Sequence, residues 1–222
     1  MNKETRAFSF EVRAEQNEEH GTFITGTPIV FNQEEQLFDP FIGNYRESIS
    51  PEALRQTDLK DVPFLVGHNT SGVPLARSRN NNESSTMQLK VTEAGMVIRA
   101  DLDVEGNPEA KTLYSAVKRG DMNGMSFMFT VDKDAWEDID TDNPKRTIMS
   151  IRKVYEVSAV AFPAYKGTSI QAASEGEAPE GVKASLESAR KQLAEERARE
   201  AEDARRTAAF ERLEKLQKEV RA

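Results

Sequence analysis

Residues 8–12 alternate apolar and polar side chains, which puts Phe8, Phe10 and Val12 on one face of a strand. Residues 23–31 read as a second strand, and Gly26 and Pro28 within it predict a bulge or bend. Met87, Leu89 and Val91 alternate against Met96, Ile98 and Ala100, the pattern of a hairpin. Segments 125–131, 148–154 and 157–162 extend the set. About eight strands with turns at short intervals suit a closed barrel or a sandwich flanked by helices. Two helix starts interrupt the strands. Ser50 as N-cap with Pro51 behind it predicts a short helix. Asn107 before Pro108 predicts another, running to about Arg119, with Ala110, Leu113, Tyr114 and Val117 buried and Gly120 as its stop. Segment 132–146 is acidic and reads as a loop, with Trp136 its one aromatic residue.

The pattern changes near Ser174. Residues 174–181 mix Gly176, Pro179 and Gly181 with acids, which neither holds a helix nor buries a side chain, so they read as a linker. The predicted organisation is a body over residues 1–174, a linker over 175–181 and a charged helix over 182–222. That helix lacks Pro and Gly and would reach roughly 60 Å at 1.5 Å per residue. Its apolar seam starts at Val182, Leu186, Ala189 and Leu193, thins to Ala198, Ala201, Ala204 and Ala208, and regains bulk at Leu213, Leu216 and Val220. Two readings stay open: a solvated, charge-laced single helix, or a partner-binding or self-associating helix such as a coiled coil.

Composition narrows the chemistry. The net charge of −8 argues against a nucleic-acid binder, since neutralising phosphates needs a basic surface, and it disfavours a membrane surface for the same reason. With no cysteine, disulfides, thiolate nucleophiles and thiolate-ligated metals are excluded. No cofactor or metal site is expected. No apolar run approaches the ~20 residues that span a bilayer, and the opening residues lack a signal-like apolar stretch, so the chain is expected in the cytoplasm where it is made.

Histidine occurs twice, so any imidazole chemistry must use His20 or His68. His20 lies in a polar turn and reads as a surface group. His68 follows the apolar run Val62-Pro-Phe-Leu-Val66 and Gly67, which delivers it to a strand end. Ser126 stands between Met125 and Phe127 just after a glycine-bearing turn, a position that suits a nucleophile or simply a half-buried strand residue. Glu156 opens the buried-looking run Val157-Ser-Ala-Val160, where an unpaired carboxylate would be costly, so it should have an arginine or histidine partner. A serine nucleophile needs a base, and the base needs an orienting acceptor. His68, Ser126 and Glu156 satisfy that inventory, although spacing alone does not bring them together.

At these segments the chain resembles the prohead (capsid maturation) serine proteases of tailed bacteriophages. The resemblance rests on Phe64-Leu-Val-Gly-His-Asn69 with Pro74-Leu-Ala-Arg77, on Val117-Lys-Arg-Gly-Asp-Met-Asn-Gly-Met-Ser-Phe-Met-Phe129, and on Tyr155-Glu-Val-Ser-Ala-Val-Ala-Phe-Pro-Ala-Tyr165. The family is similar in fold to the herpesvirus maturation protease (assemblin), a β-barrel surrounded by helices. The resemblance implies Ser126 as nucleophile, His68 as general base and backbone N–H groups near Ala164 and Tyr165 as an oxyanion hole. In the herpesvirus enzymes the third member is a second histidine; here Glu156 occupies that strand, and its orienting role follows from chemistry and position.

The expected fold is therefore α+β, a closed β-rich barrel flanked by short helices and followed by a long charged helix. The expected function is a serine endopeptidase that cleaves capsid and scaffold protein, and itself, inside the immature capsid in the host cytoplasm. Its partners would be the major capsid protein and its scaffolding segment, with self-association through the C-terminal helix as a further option. The competing reading is a non-enzymatic scaffolding or assembly protein that acts through that helix. A glycosidase with paired carboxylates has only composition behind it.

Overall fold

The computed structural model describes residues 3–8, 12–17, 21–161 and 180–220. The elements are β1 (Glu4–Phe8), β2 (Arg13–Asn17), β3 (Gly21–Val30), β4 (Glu35–Asp39), β5 (Gly43–Ile49), β6 (Pro63–Val66), β7 (Ala76–Arg77), β8 (Met87–Val91), β9 (Gly95–Asp101), α1 (Pro108–Arg119), β10 (Gly124–Glu137), β11 (Lys145–Val160) and α2 (Glu180–Val220). They form a mixed α+β fold of two sheets.

The spine is the antiparallel ribbon of β10 and β11. One edge of β10 carries β1. The free edge of β11 is shared: its start pairs in parallel with β5 at Lys145–Ile148, and its end pairs in parallel with β6 at Val157–Ala159. β4 extends the sheet beyond β5, and β7 extends it beyond β6. The second sheet runs β2-β3-β9-β8. The expected closed barrel is not formed. Because β11 splits one edge between β5 and β6, the sheet forks instead of curling, and among the described residues no ladder joins it to the second sheet. A strand count carries no information on which edges pair.

The core lies between the sheets and α1. Ile24, Ile29, Met96 and Ile98 of the second sheet meet Phe64, Met125, Phe127 and Val157 of the first. α1 adds Ala110, Leu113 and Val117. Its ends are those expected: Asn107 Oδ1 accepts from the N–H groups of Glu109 and Ala110, and Gly120 closes it at φ 81°. The bend predicted in β3 is a register shift between Gly26 and Ile29. The hairpin of β8 and β9 is also present.

Two local expectations fail for physical reasons. Residues 51–56 form successive turns, not a helix. Ser50 does cap, its Oγ accepting from Glu52 N at 3.3 Å, but the Ala53 carbonyl accepts from Ile151 N of β11 and from Thr57 Oγ1, which removes it from helical bonding. The acidic loop over 132–146 is mostly hairpin, paired from Lys133 with Ser150 to Glu137 with Lys145. Arg146 is buried and half-buried Asp134 pairs with it at 2.7 Å, while the buried Ile139 sits in the turn, so no apolar alternation announces the strands. A strand is present at Glu4–Phe8; residues 9–11, the middle of the strand expected over 8–12, lie outside the described residues.

α2 runs for 41 residues. Val182 and Leu186 are buried on the β10–β11 ribbon, and Ser185 Oγ accepts from Trp136 Nε1 at 2.8 Å while donating to Asp134 Oδ1 at 2.7 Å. Arg190 donates to the Ile139 carbonyl, and Arg197 pairs with Asp140 at 2.7 Å. The first turns are thus docked, and residues 198–209 are exposed. α2 pairs with no second helix among the described residues, so a coiled coil is not shown. Among the described residues no helix is long and apolar enough to cross a membrane.

Candidate active site

Three strands place the candidate residues by register. Phe127, Val157 and Phe64 form one rung across β10, β11 and β6 and face the core. The adjacent rung, Ser126, Ser158 and Leu65, faces the other way, because side chains alternate along a strand. Glu156 is two residues from Ser158 on β11 and shares that face. The sheet alone therefore brings Ser126, Ser158 and Glu156 to one side.

His68 arrives from β6. The N–H of Asn69 donates to the Val66 carbonyl at 3.1 Å, closing a two-residue turn over Gly67 and His68. Their φ angles are 57° and 61°, the left-handed pair of a type I′ turn. Glycine adopts this conformation freely, whereas histidine does so at a cost of about 1–2 kcal/mol. The turn is pinned by Gly67 N to the Ala159 carbonyl at 2.9 Å and by His68 N to Ser158 Oγ at 3.1 Å. It folds the imidazole back over β11, where Nδ1 meets Glu156 Oε1 at 2.7 Å.

Glu156 is buried, and the partner its burial demands is His68. Its second oxygen accepts from Ser158 Oγ at 2.5 Å. A carboxylate only accepts, so the neutral imidazole beside it carries its proton on Nδ1, the tautomer in which Nε2 has the lone pair. The His68 side chain is 25% exposed, which leaves the ring a path to the surface. Ser126 is fully buried, and its hydroxyl donates to the Arg6 carbonyl of β1 at 2.7 Å. Among the described residues no hydrogen bond joins Ser126 to His68. The structure thus brings His68 and Glu156 into contact and sets Ser126 on the neighbouring strand, opposite Ser158. His20, Ala164 and Tyr165 lie outside the described residues. Among the described residues no group of three metal-ligating side chains occurs.

A family model described as caudovirus prohead serine protease matches residues 8–180. The chain belongs to that family. Membership in the prohead proteases indicates a serine peptidase of capsid maturation, and it covers every strand from β2 to β11, with the match ending where α2 begins. No curated protein and no solved structure matches this prohead protease family member. Ser158 went unremarked in the sequence. The available signal was its two-residue spacing from Glu156, which puts two polar groups on one face of a buried strand.

At the far end of the ribbon a second polar cluster is equally buried. Arg146 bonds Glu4, Glu47 and Asp134, and Arg6 bonds Glu4 and Glu47, all at 2.5–3.0 Å. Burial works against charge on Glu47, but Arg6 and Arg146 outweigh it and hold the carboxyl below its ordinary range. Burial also pushes the Tyr45 phenol far up, so the ring stays neutral beside these groups.

Proposed function

We propose that the chain is a serine endopeptidase with Ser126 as nucleophile, His68 as general base and Glu156 as the carboxylate that orients the base. The single observation that carries this reading is the 2.7 Å bond between His68 Nδ1 and Glu156 Oε1, because it fixes the tautomer that leaves Nε2 able to take a proton. In the reaction the Ser126 hydroxyl gives up the Arg6 carbonyl and transfers its proton to His68 Nε2 as Oγ attacks the scissile carbonyl. Glu156 stabilises the resulting imidazolium. The imidazolium then protonates the leaving amine, and water attacks the acyl-enzyme with His68 again as base. Backbone N–H groups near Ala164 and Tyr165 serve the oxyanion.

The substrates are the capsid protein with its scaffolding segment and the chain itself, and the work is done inside the immature capsid in the host cytoplasm. α2 is the tether that recruits the enzyme, since residues 198–209 are exposed and lie beyond the family match. The test is labelling by a serine-directed phosphonate together with cleavage of the capsid precursor. Wild type should label at Ser126 and cleave, and Ser126→Ala should do neither while keeping its fold, a loss of several orders of magnitude. Cleavage by Ser126→Ala would remove Ser126 from the mechanism. Absence of labelling and cleavage in wild type would favour the assembly role through α2, for which the buried, already bonded Ser126 hydroxyl is the motivating observation.

A further inference from the structure

We infer that Ser158 is a positioning residue of the site, acting through both His68 and Glu156; as a statement about catalysis this rests on the protease reading above. The Ser158 hydroxyl makes two bonds. It donates to Glu156 Oε2 at 2.5 Å and accepts from the backbone N–H of His68 at 3.1 Å. One hydroxyl group therefore holds both ends of the bond between Glu156 Oε1 and His68 Nδ1. It fixes the carboxylate by its unused oxygen, which selects the rotation that aims Oε1 at the ring. It also fixes the left-handed residue from which that ring projects.

Each bond meets a specific need. Glu156 is buried, so the oxygen that does not face the imidazole needs a donor. His68 sits at φ 61°, and its N–H faces β11 at the rung where a strand backbone would supply no acceptor in that direction; the Ser158 side chain supplies one. Ser158 is fully buried, its proton is directed at a carboxylate, and one lone pair is occupied by the His68 N–H. That commitment distinguishes it from Ser126, whose hydroxyl is held by one neutral carbonyl. The arrangement assigns Ser158 to holding the base and Ser126 to attack.

The experiment uses the full chain and three variants: Ser158→Ala, Ser158→Cys, which nearly keeps the volume with a poor hydrogen-bonding group, and Glu156→Gln. With only two histidines in the chain, the proton resonance of the His68 Nδ1–H is assigned by its loss in His68→Ala. In wild type it should be far downfield. In Ser158→Ala and Ser158→Cys it should move upfield or vanish through exchange, with thermal unfolding showing that the fold persists. For cleavage, kcat should fall on the order of 100-fold with KM little changed, as for a misplaced catalytic group, and the acidic limb of the pH–rate profile should move. Ser158→Ala in the Glu156→Gln background should add much less than it does alone. An unmoved Nδ1–H resonance in a folded Ser158 variant overturns the proposal whether or not the chain is a protease. Additive rate losses, an unmoved pH profile, or a phosphonate adduct on Ser158 also overturn it. A wild type that neither labels nor cleaves defeats the protease reading alone, and the resonance then still decides whether Ser158 holds the pair.

Discussion

The two ends of the β10–β11 ribbon bury polar groups in opposite ways. At one end His68, Glu156, Ser158 and Ser126 are set among apolar neighbours, one imidazole and one carboxylate with two hydroxyls, and the ring is partly exposed on a left-handed turn. At the other, Arg6 and Arg146 are interleaved with Glu4, Glu47 and Asp134, and Arg146 is 1% exposed. In both clusters the buried polar atoms are satisfied, since among the described residues no buried side-chain nitrogen or oxygen lacks a partner. What differs is what each can change. Guanidinium groups do not release protons in proteins, and the far cluster is closed on all sides, so it can fasten strands but not turn over. The near cluster contains a titratable ring with one nitrogen committed and one available. Burial of charge alone does not mark a site; an uncommitted atom within a strained, well-supported frame does.

The sharpest way to separate the ends is to damage each and read both activity and stability. His68→Ala should lower kcat/KM by about 100- to 10,000-fold, the usual worth of a general base, and should cost about 1–3 kcal/mol of stability, because buried Glu156 then keeps the Ser158 hydroxyl but loses the imidazole. Glu156→Gln should lose less, because it keeps the base and alters only its orientation and charge. Full activity in Glu156→Gln would remove Glu156 from the site. Equal losses in the two variants would show that the imidazole does nothing without the carboxylate.

At the far end the expected outcome is reversed. Arg146→Leu leaves buried Glu4 and Glu47 with Arg6 as their remaining guanidinium and strips Asp134 of its ion pair, and should cost about 3–5 kcal/mol of stability, with the surviving folded fraction retaining its specific activity. Acid should act in the same direction. The folded Glu47 carboxyl lies below its ordinary range, so its contribution is fully present above the unfolded value of ~4.3 and is lost as pH falls through the lower folded value. Urea midpoints should therefore be flat near neutrality and fall below about pH 4, and a flat profile down to pH 3 would show that the cluster is not coupled to folding. A smaller effect should follow at the turn. In Gly67→Ala the new methyl meets nothing within 4 Å, so the penalty is the left-handed backbone alone, about 1 kcal/mol. A loss of activity much larger than that of stability would show that the turn's geometry, and with it the aim of His68, has shifted.

The same contrast explains what was legible in the sequence. Where apolar residues do the burying, the pattern sufficed: β3, the β8–β9 hairpin, α1 with its Asn107 and Gly120 ends, and α2 all lie where periodicity and capping put them. Where charge does the burying, it did not. Glu4, Glu47, Asp134 and Arg146 look like surface residues one at a time, and their burial depends on partners as many as 142 positions away, as between Glu4 and Arg146. The arm of the hairpin was misread and β1 was passed over for that reason. Within the site, the demand that Glu156 find a cation-forming partner could be stated from its apolar surroundings, and that partner is His68. Ser158 could not be singled out, because a serine in a buried strand reads as a neutral interruption until the register shows which face it shares.

The smallest expected effect concerns the boundary between the docked and the exposed parts of α2. Val182 and Leu186 are buried and Ser185 joins the far cluster through Asp134, so the first turns belong energetically to the ribbon. Past the exposed pair of Arg197 with Asp140, a contact of the kind worth at most about 1 kcal/mol, the helix touches nothing among the described residues up to 209. Removing residues 201–222 should therefore change stability by no more than about 0.5 kcal/mol and leave peptide cleavage intact. Ser185→Ala, which strips the hydroxyl that bridges Trp136 and Asp134, should cost about 1 kcal/mol, more than the whole truncation. If the truncation were the more costly of the two, particularly with a dependence on protein concentration, the outer half of α2 would have to be held by a second copy of the chain. If both were silent, the docked turns would contribute nothing to the ribbon, and the helix would be a tether along its entire length.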